Sequence, residues 1–74
     1  METVWESTLD DIFECRVVRT GERTGQLTVK ENVNGQMLLD TAVGLSYGAQ
    51  FGPDIADIAE WQHQCVNAVD NAKV

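Results

Sequence analysis

The sequence predicts an α+β fold, an antiparallel β-meander of three or four strands with one C-terminal α-helix packed on one face. Three observations predict it. Between Phe13 and Leu45 apolar residues recur at every second position, in runs interrupted by turns rich in Gly and Asn. From Pro53 onward the apolar period lengthens to that of a helix. The chain is 74 residues long, enough for one domain spanning 1–74 and for a single thin core. Chains of this size bury only about 60 % of the surface their unfolded form exposes.

The first element is the least determined. Thr3, Val4, Trp5 and Thr8 favour a strand, turning at Leu9-Asp10-Asp11 into the meander. Ser7-Thr8-Leu9-Asp10 could instead cap a short helix. The strand is preferred. Next, Phe13, Cys15 and Val17 alternate with Glu14, Arg16 and Val18, and Thr20–Gly25 forms a turn. Leu27 and Val29 then alternate with Gln26, Thr28 and Lys30, and Met37, Leu39, Thr41, Val43 and Leu45 share one parity.

Register follows from the need to bury one face. A two-residue turn at Asn34-Gly35 would put Leu27 and Val29 on the face opposite Met37 and Leu39. A three-residue loop, Val33-Asn34-Gly35 with Gly35 left-handed, pairs Val29 with Leu39 and Leu27 with Thr41. The same reasoning at Gly21-Glu22-Arg23 sets Val17 opposite Leu27 and Cys15 opposite Val29. The outer face then reads Glu14, Lys30, Leu38 in one row, Arg16, Thr28, Asp40 in the next, and Val18, Gln26, Ala42 in a third; opposed charges fit.

Gly44–Gly52 is a glycine-rich loop. Pro53 suits a first helical position, and Asp54 and Asp57 favour the positive end of the helix dipole. At about 100° per residue, Ile55, Ile58, Ala59, Cys65, Val66 and Val69 gather on one side, with Gln62 near its middle and Trp61 at its edge, half-buried. The expected core is Phe13, Cys15, Val17, Leu27, Val29, Met37, Leu39, Val43, Ile55, Ile58, Val66 and Val69. A buried Gln62 amide should bond the sheet or the Gly44–Gly52 loop, because an unpaired one is costly.

Functional chemistry is thin. EWQHQC, Glu60 to Cys65, places the only histidine two residues before a cysteine, but two helical positions point roughly 200° apart, so His63 and Cys65 do not chelate one ion. A structural zinc site needs four ligands at close spacing, and the chain has one His and two Cys. No metal and no cofactor is expected. A cysteine nucleophile needs a base within reach, no spacing pairs carboxylates in an apolar pocket, and the glycine loop lacks the spacing and lysine of a phosphate cradle. The chain is not expected to be an enzyme. Cys15 and Cys65 are expected to be reduced, buried and inert.

The net charge is −7. Five acids and no base occupy residues 1–14, and from Glu31 onward six acids face only Lys73. Such a field repels phosphate backbones, so direct nucleic-acid binding is not expected. No apolar run approaches the roughly 18 residues of a membrane span, and the acidic N-terminal stretch is unlike a secretory signal. A cytoplasmic location is expected. What remains is surface aromatics: Trp5, Tyr47, Phe51 and Trp61, beside Asp57 and Glu60, form the candidate protein interface.

VGLSYGAQFGPDIADIAEW, Val43 to Trp61, resembles a stretch in small uncharacterised proteins of actinobacteria and their phages, and WESTLDD, Trp5 to Asp11, resembles the same group. The likeness covers about half the chain and carries no catalytic motif. It implies a short accessory protein, phage-encoded and working in a bacterial host cytoplasm. The expected function is therefore non-enzymatic: binding a host protein and modulating or inhibiting it. Two alternatives stand beside it. One is a homo-oligomer, a dimer for instance, using an outer sheet face made apolar by Ile12, Val18, Leu38 and Ala42. The other is an acidic DNA mimic built on carboxylates such as Asp54, Asp57 and Glu60.

Overall fold

The computed structural model describes residues 2–46 and 53–73. Strands β1 (Thr3–Leu9), β2 (Phe13–Arg19), β3 (Thr24–Glu31) and β4 (Met37–Gly44) pair antiparallel in sequence order, and helix α1 (Ile55–Ala72) follows. The α+β meander expected from the sequence is the architecture, with the N-terminal stretch as its fourth strand. Tyr47 and Phe51 lie outside the described residues.

The first turn works because two aspartates accept left-handed backbone. Asp10 and Asp11 have φ of 53° and 62°, a region these side chains tolerate, and Ile12 N–H closes on Leu9 O at 3.2 Å. Leu9 therefore pairs with Phe13, Ser7 with Cys15 and Trp5 with Val17. That register puts Trp5, Ser7 and Leu9 on the inner face.

In the centre of the sheet Cys15 faces Val29, Val17 faces Leu27, Val29 faces Leu39 and Leu27 faces Thr41, as burial on one face requires. The β3–β4 loop departs from the expected three residues. Gly35, at φ 70°, donates its N–H to Glu31 O at 2.8 Å, and Glu31 N–H donates to Gln36 O at 2.8 Å. Asn32 to Gly35 thus form a four-residue loop, and Leu38 is left over as a bulge between Lys30↔Met37 and Val29↔Leu39. The extra residue moves Met37 to the parity of Lys30. Met37 was expected inside and is 50 % exposed.

The outer face is more polar than its apolar residues suggested. Arg16 pairs with Glu6 across the strands at 2.9 Å, and Gln26 donates to Asp40 at 2.5 Å. The N-terminal strand extends the sheet and does not fold over this face.

The core comprises Phe13, Cys15, Val17, Leu27, Val29, Leu45, Trp61, Cys65 and Val69. Leu39, Val43 and Ile58 are half-buried against it. Helix α1 is rotated by about 60° from the orientation its printed apolar arc implied, at 100° per residue. Its inward line is Trp61, Cys65 and Val69. Ile55 and Val66, expected inside, are 83 % and 44 % exposed, and Gln62 is exposed as well. The size of Trp61 explains the rotation. An indole buries roughly 150–250 Å², worth about 4–6 kcal/mol at about 25 cal/mol/Å². Trp61 and Val66 lie too far apart around the helix for both to face a thin sheet, and the larger side chain wins.

The helix start is clamped from outside. Asp54 occupies the N-cap position with no side-chain capping bond, so Pro53 precedes the cap and does not take the first helical position. Asp57 accepts the Ser46 N–H at 2.9 Å and its hydroxyl at 2.7 Å. Desolvation opposes ionisation of Asp57, but the bonds from the Ser46 side chain and backbone and from the Asp54 backbone outweigh it, holding the carboxyl below its ordinary value. At the other end Lys73 reaches Asp10 in the first turn at 2.7 Å.

Candidate functional site

One helix, about 10 Å across, cannot cover the inner face of four strands spaced about 4.8 Å apart. Here α1 runs closest to β3 and β4, so the flank over β1 stays open. The result is a groove of about 450 Å³ between β1 and α1. Trp5 and Leu9 wall it from the strand, Ala59 and Val66 from the helix; Cys15 and Cys65 form its floor, and Ser7, Gln62 and His63 its polar rim. Each wall residue is there for a local reason. Trp5, Ser7 and Leu9 share strand parity, and the helix rotation that buries Trp61 turns Ala59, Gln62 and Val66 outward over β1.

Trp5 is half-buried, with its ring 5.8 Å from that of Trp61 and tilted by 48°. The indole is thus packed against the core and part of it stays open. A rigid, half-exposed aromatic beside apolar walls is the usual anchor point of an interface. The groove continues toward the first turn, where Leu9 and Val66 meet Asp10, Asp70 and Lys73.

The other candidate interface residues do not converge. Trp61 was expected half-buried and is 1 % exposed, so it supports Trp5 from beneath and presents no surface of its own. Asp57 is committed to Ser46. Glu60 is exposed and accepts from Gln64 at 3.2 Å. Gln62, expected to bond the sheet or the glycine loop, instead sits on the groove rim.

Cys15 and Cys65 meet across the sheet–helix interface, fifty residues apart in the chain and each 1 % exposed. Burial pushes the Cys15 thiol up, an effect opposed by its hydrogen bond with Cys65. Burial likewise pushes Cys65 up to about 12, and its bond to Cys15 together with the Cys15 charge adds to the rise. Both are thiols at neutral pH. His63 is exposed on the rim, within 3.2 Å of the Asn67 amide. Among the described residues no three His, Cys, Asp or Glu side chains converge as a metal cluster would require.

A second groove, about 500 Å³, lies on the opposite flank between β4 and α1. Four side-chain amides, Gln36, Gln64, Asn67 and Asn71, line it. Met37, Leu38, Leu39, Ala68 and Ala72 line it between the amides, and no aromatic ring walls it.

No protein family, curated protein or solved structure matches the chain.

Sequence reasoning found Trp5 but missed Leu9, Ala59 and Val66 as its companions, and missed the meeting of the two thiols. The parity of Trp5, Ser7 and Leu9 was a usable signal. The helix wall was not, because its rotation depends on how much of Trp61 the sheet can accept.

Proposed function

We propose that this chain is a small non-enzymatic accessory protein that binds a host protein and modulates it by occupying one of its segments. The segment is extended and basic, and places one apolar side chain in the β1–α1 groove. The observation that carries this reading is the groove with its Trp5 wall: apolar surface that a monomer of this size leaves open, seated on a rigid core. Two further observations specify the occupant. β1 is the terminal strand of the sheet, so an extended chain can run along its edge while alternate side chains drop toward Trp5 and Leu9. The chain carries a net charge of −7, and where the groove reaches the first turn Asp70 stands beside the Asp10–Lys73 ion pair. That favours Lys or Arg flanking the inserted side chain. The resemblance to small actinobacterial and phage proteins supplies the setting, a bacterial cytoplasm.

The test is capture from bacterial lysate with the wild-type chain and Val66→Glu in parallel, followed by hydrogen exchange on the recovered complex. Val66 is already 44 % exposed, so the variant folds. The expected result is one partner held by the wild type, released as salt rises and lost with Val66→Glu, with new protection along β1. A partner held equally by Val66→Glu overturns the reading. So does self-association through the groove, seen by light scattering as a dimer that the variant abolishes.

A further inference from the structure

We propose that Cys15 and Cys65 are an oxidisable thiol pair, and that a low-molecular-weight disulfide entering through the β1–α1 groove converts them to an intramolecular disulfide joining β2 to α1. The two sulfurs belong to different elements and different ends of the chain, yet they meet on the inner face and form the floor of one open groove. They are the only cysteines present. An isolated buried thiol is inert because nothing stabilises its thiolate and nothing stands ready to resolve a mixed disulfide. Here Cys65 is that partner for Cys15.

The two sulfurs differ in role. Burial raises both thiols, but the interaction between them works against the rise at Cys15 and adds to it at Cys65, so Cys15 is the easier of the two to ionise and is the attacking thiolate. Cys15 Sγ forms a bond to one sulfur of the reagent, and the reagent's own S–S bond breaks, releasing one small thiol. Cys65 then loses its proton and attacks Cys15 Sγ, expelling the second small thiol. In sum, a dithiol and a small disulfide give a protein disulfide and two small thiols. The two-electron oxidation of the chain is matched by reduction of the reagent.

The bond draws α1 toward β2 across the groove floor. Its effect on partner binding rests on the function proposed above; the disulfide itself does not.

The experiment incubates the reduced full-length chain with excess oxidised glutathione, without denaturant, and counts free thiols and mass over time. The expected result is loss of both thiols in a monomer with no retained glutathione, slowly, since both groups start as thiols. Cys65→Ser and Cys15→Ser should each stop at the mixed disulfide, and Cys15→Ser should be the slower to reach it. The oxidised chain should melt higher by on the order of 10 °C, because the bridge closes a long loop. Stable mono-glutathionylation of the wild type, a disulfide between chains, or thiols that react only after unfolding each overturn the proposal. If the disulfide forms and Val66→Glu still fails to affect partner capture, the thiol pair stands and the groove reading falls. If capture depends on Val66 while the thiols stay reduced, the reverse holds.

Discussion

Replacing Trp61 by Ala tests the helix orientation on which the groove depends. Trp61 is 1 % exposed and packs from the helix onto the sheet beside the Trp5 ring, so its removal leaves a cavity that the surrounding strands can fill only in part. Buried Trp→Ala changes cost about 3–5 kcal/mol. A 74-residue domain at about 0.05–0.15 kcal/mol per residue has about 4–11 kcal/mol in all. The variant should therefore be barely folded or unfolded in water. With a urea slope of about 1 kcal/mol/M, any remaining transition should move down by about 3 M or more, read by circular dichroism so that the lost fluorophore does not matter. Gln62→Ala and Val66→Ala are the controls. Gln62 is exposed, so its change should stay within about 0.5 kcal/mol. Val66, 44 % exposed, should cost about 1 kcal/mol or less. If Gln62→Ala proves more damaging than Trp61→Ala, the helix turns its Gln62–Val66 arc to the sheet and the groove over β1 does not exist.

Two further predictions concern the frame that holds the helix. The Ser46–Asp57 clamp has a depressed carboxyl pKa, so its contribution is full above the ordinary value of 3.8 and is lost as pH falls through the folded value. Asp57→Asn should cost about 1 kcal/mol at neutral pH, allowing for partial exposure, and the gap to wild type in urea melts should close in strong acid. Gly25 is buried, and a Cβ there would lie 3.0 Å from Val18 O and 3.1 Å from Val17 Cγ1. Gly25→Ala should therefore destabilise by about 1–3 kcal/mol in thermal unfolding; a neutral result would show that the β2–β3 end of the sheet is looser than its packing indicates.

The strands were legible because period two is a local property. Cys15 and Val17 had to share a face with Val29 and Leu27, and the loop at Gly21-Glu22-Arg23 allowed it. The far end of the β3–β4 hairpin was not legible to the residue. A three-residue loop and a four-residue loop with a bulge at Leu38 satisfy the same core pairs, and they differ only in where Met37 points. The helix was legible as a helix and illegible in its rotation. Counting apolar residues gave Ile55 and Val66 the same weight as Trp61, whereas burial is proportional to area.

By itself the sequence determined the class of the fold, its strand order, the inner parity of β2, β3 and most of β4, the acidic surface and the single helix. Each depends on neighbours a few residues apart, where backbone geometry dictates which side chains share a face. Only the tertiary structure decided which arc of α1 meets the sheet, that β1 is left half-covered beside Trp5, and that Cys15 and Cys65 line one groove. Those depend on how one helix of fixed width settles on a wider sheet around one large side chain. The competing terms there are areas and volumes summed across the whole core, which no local pattern records.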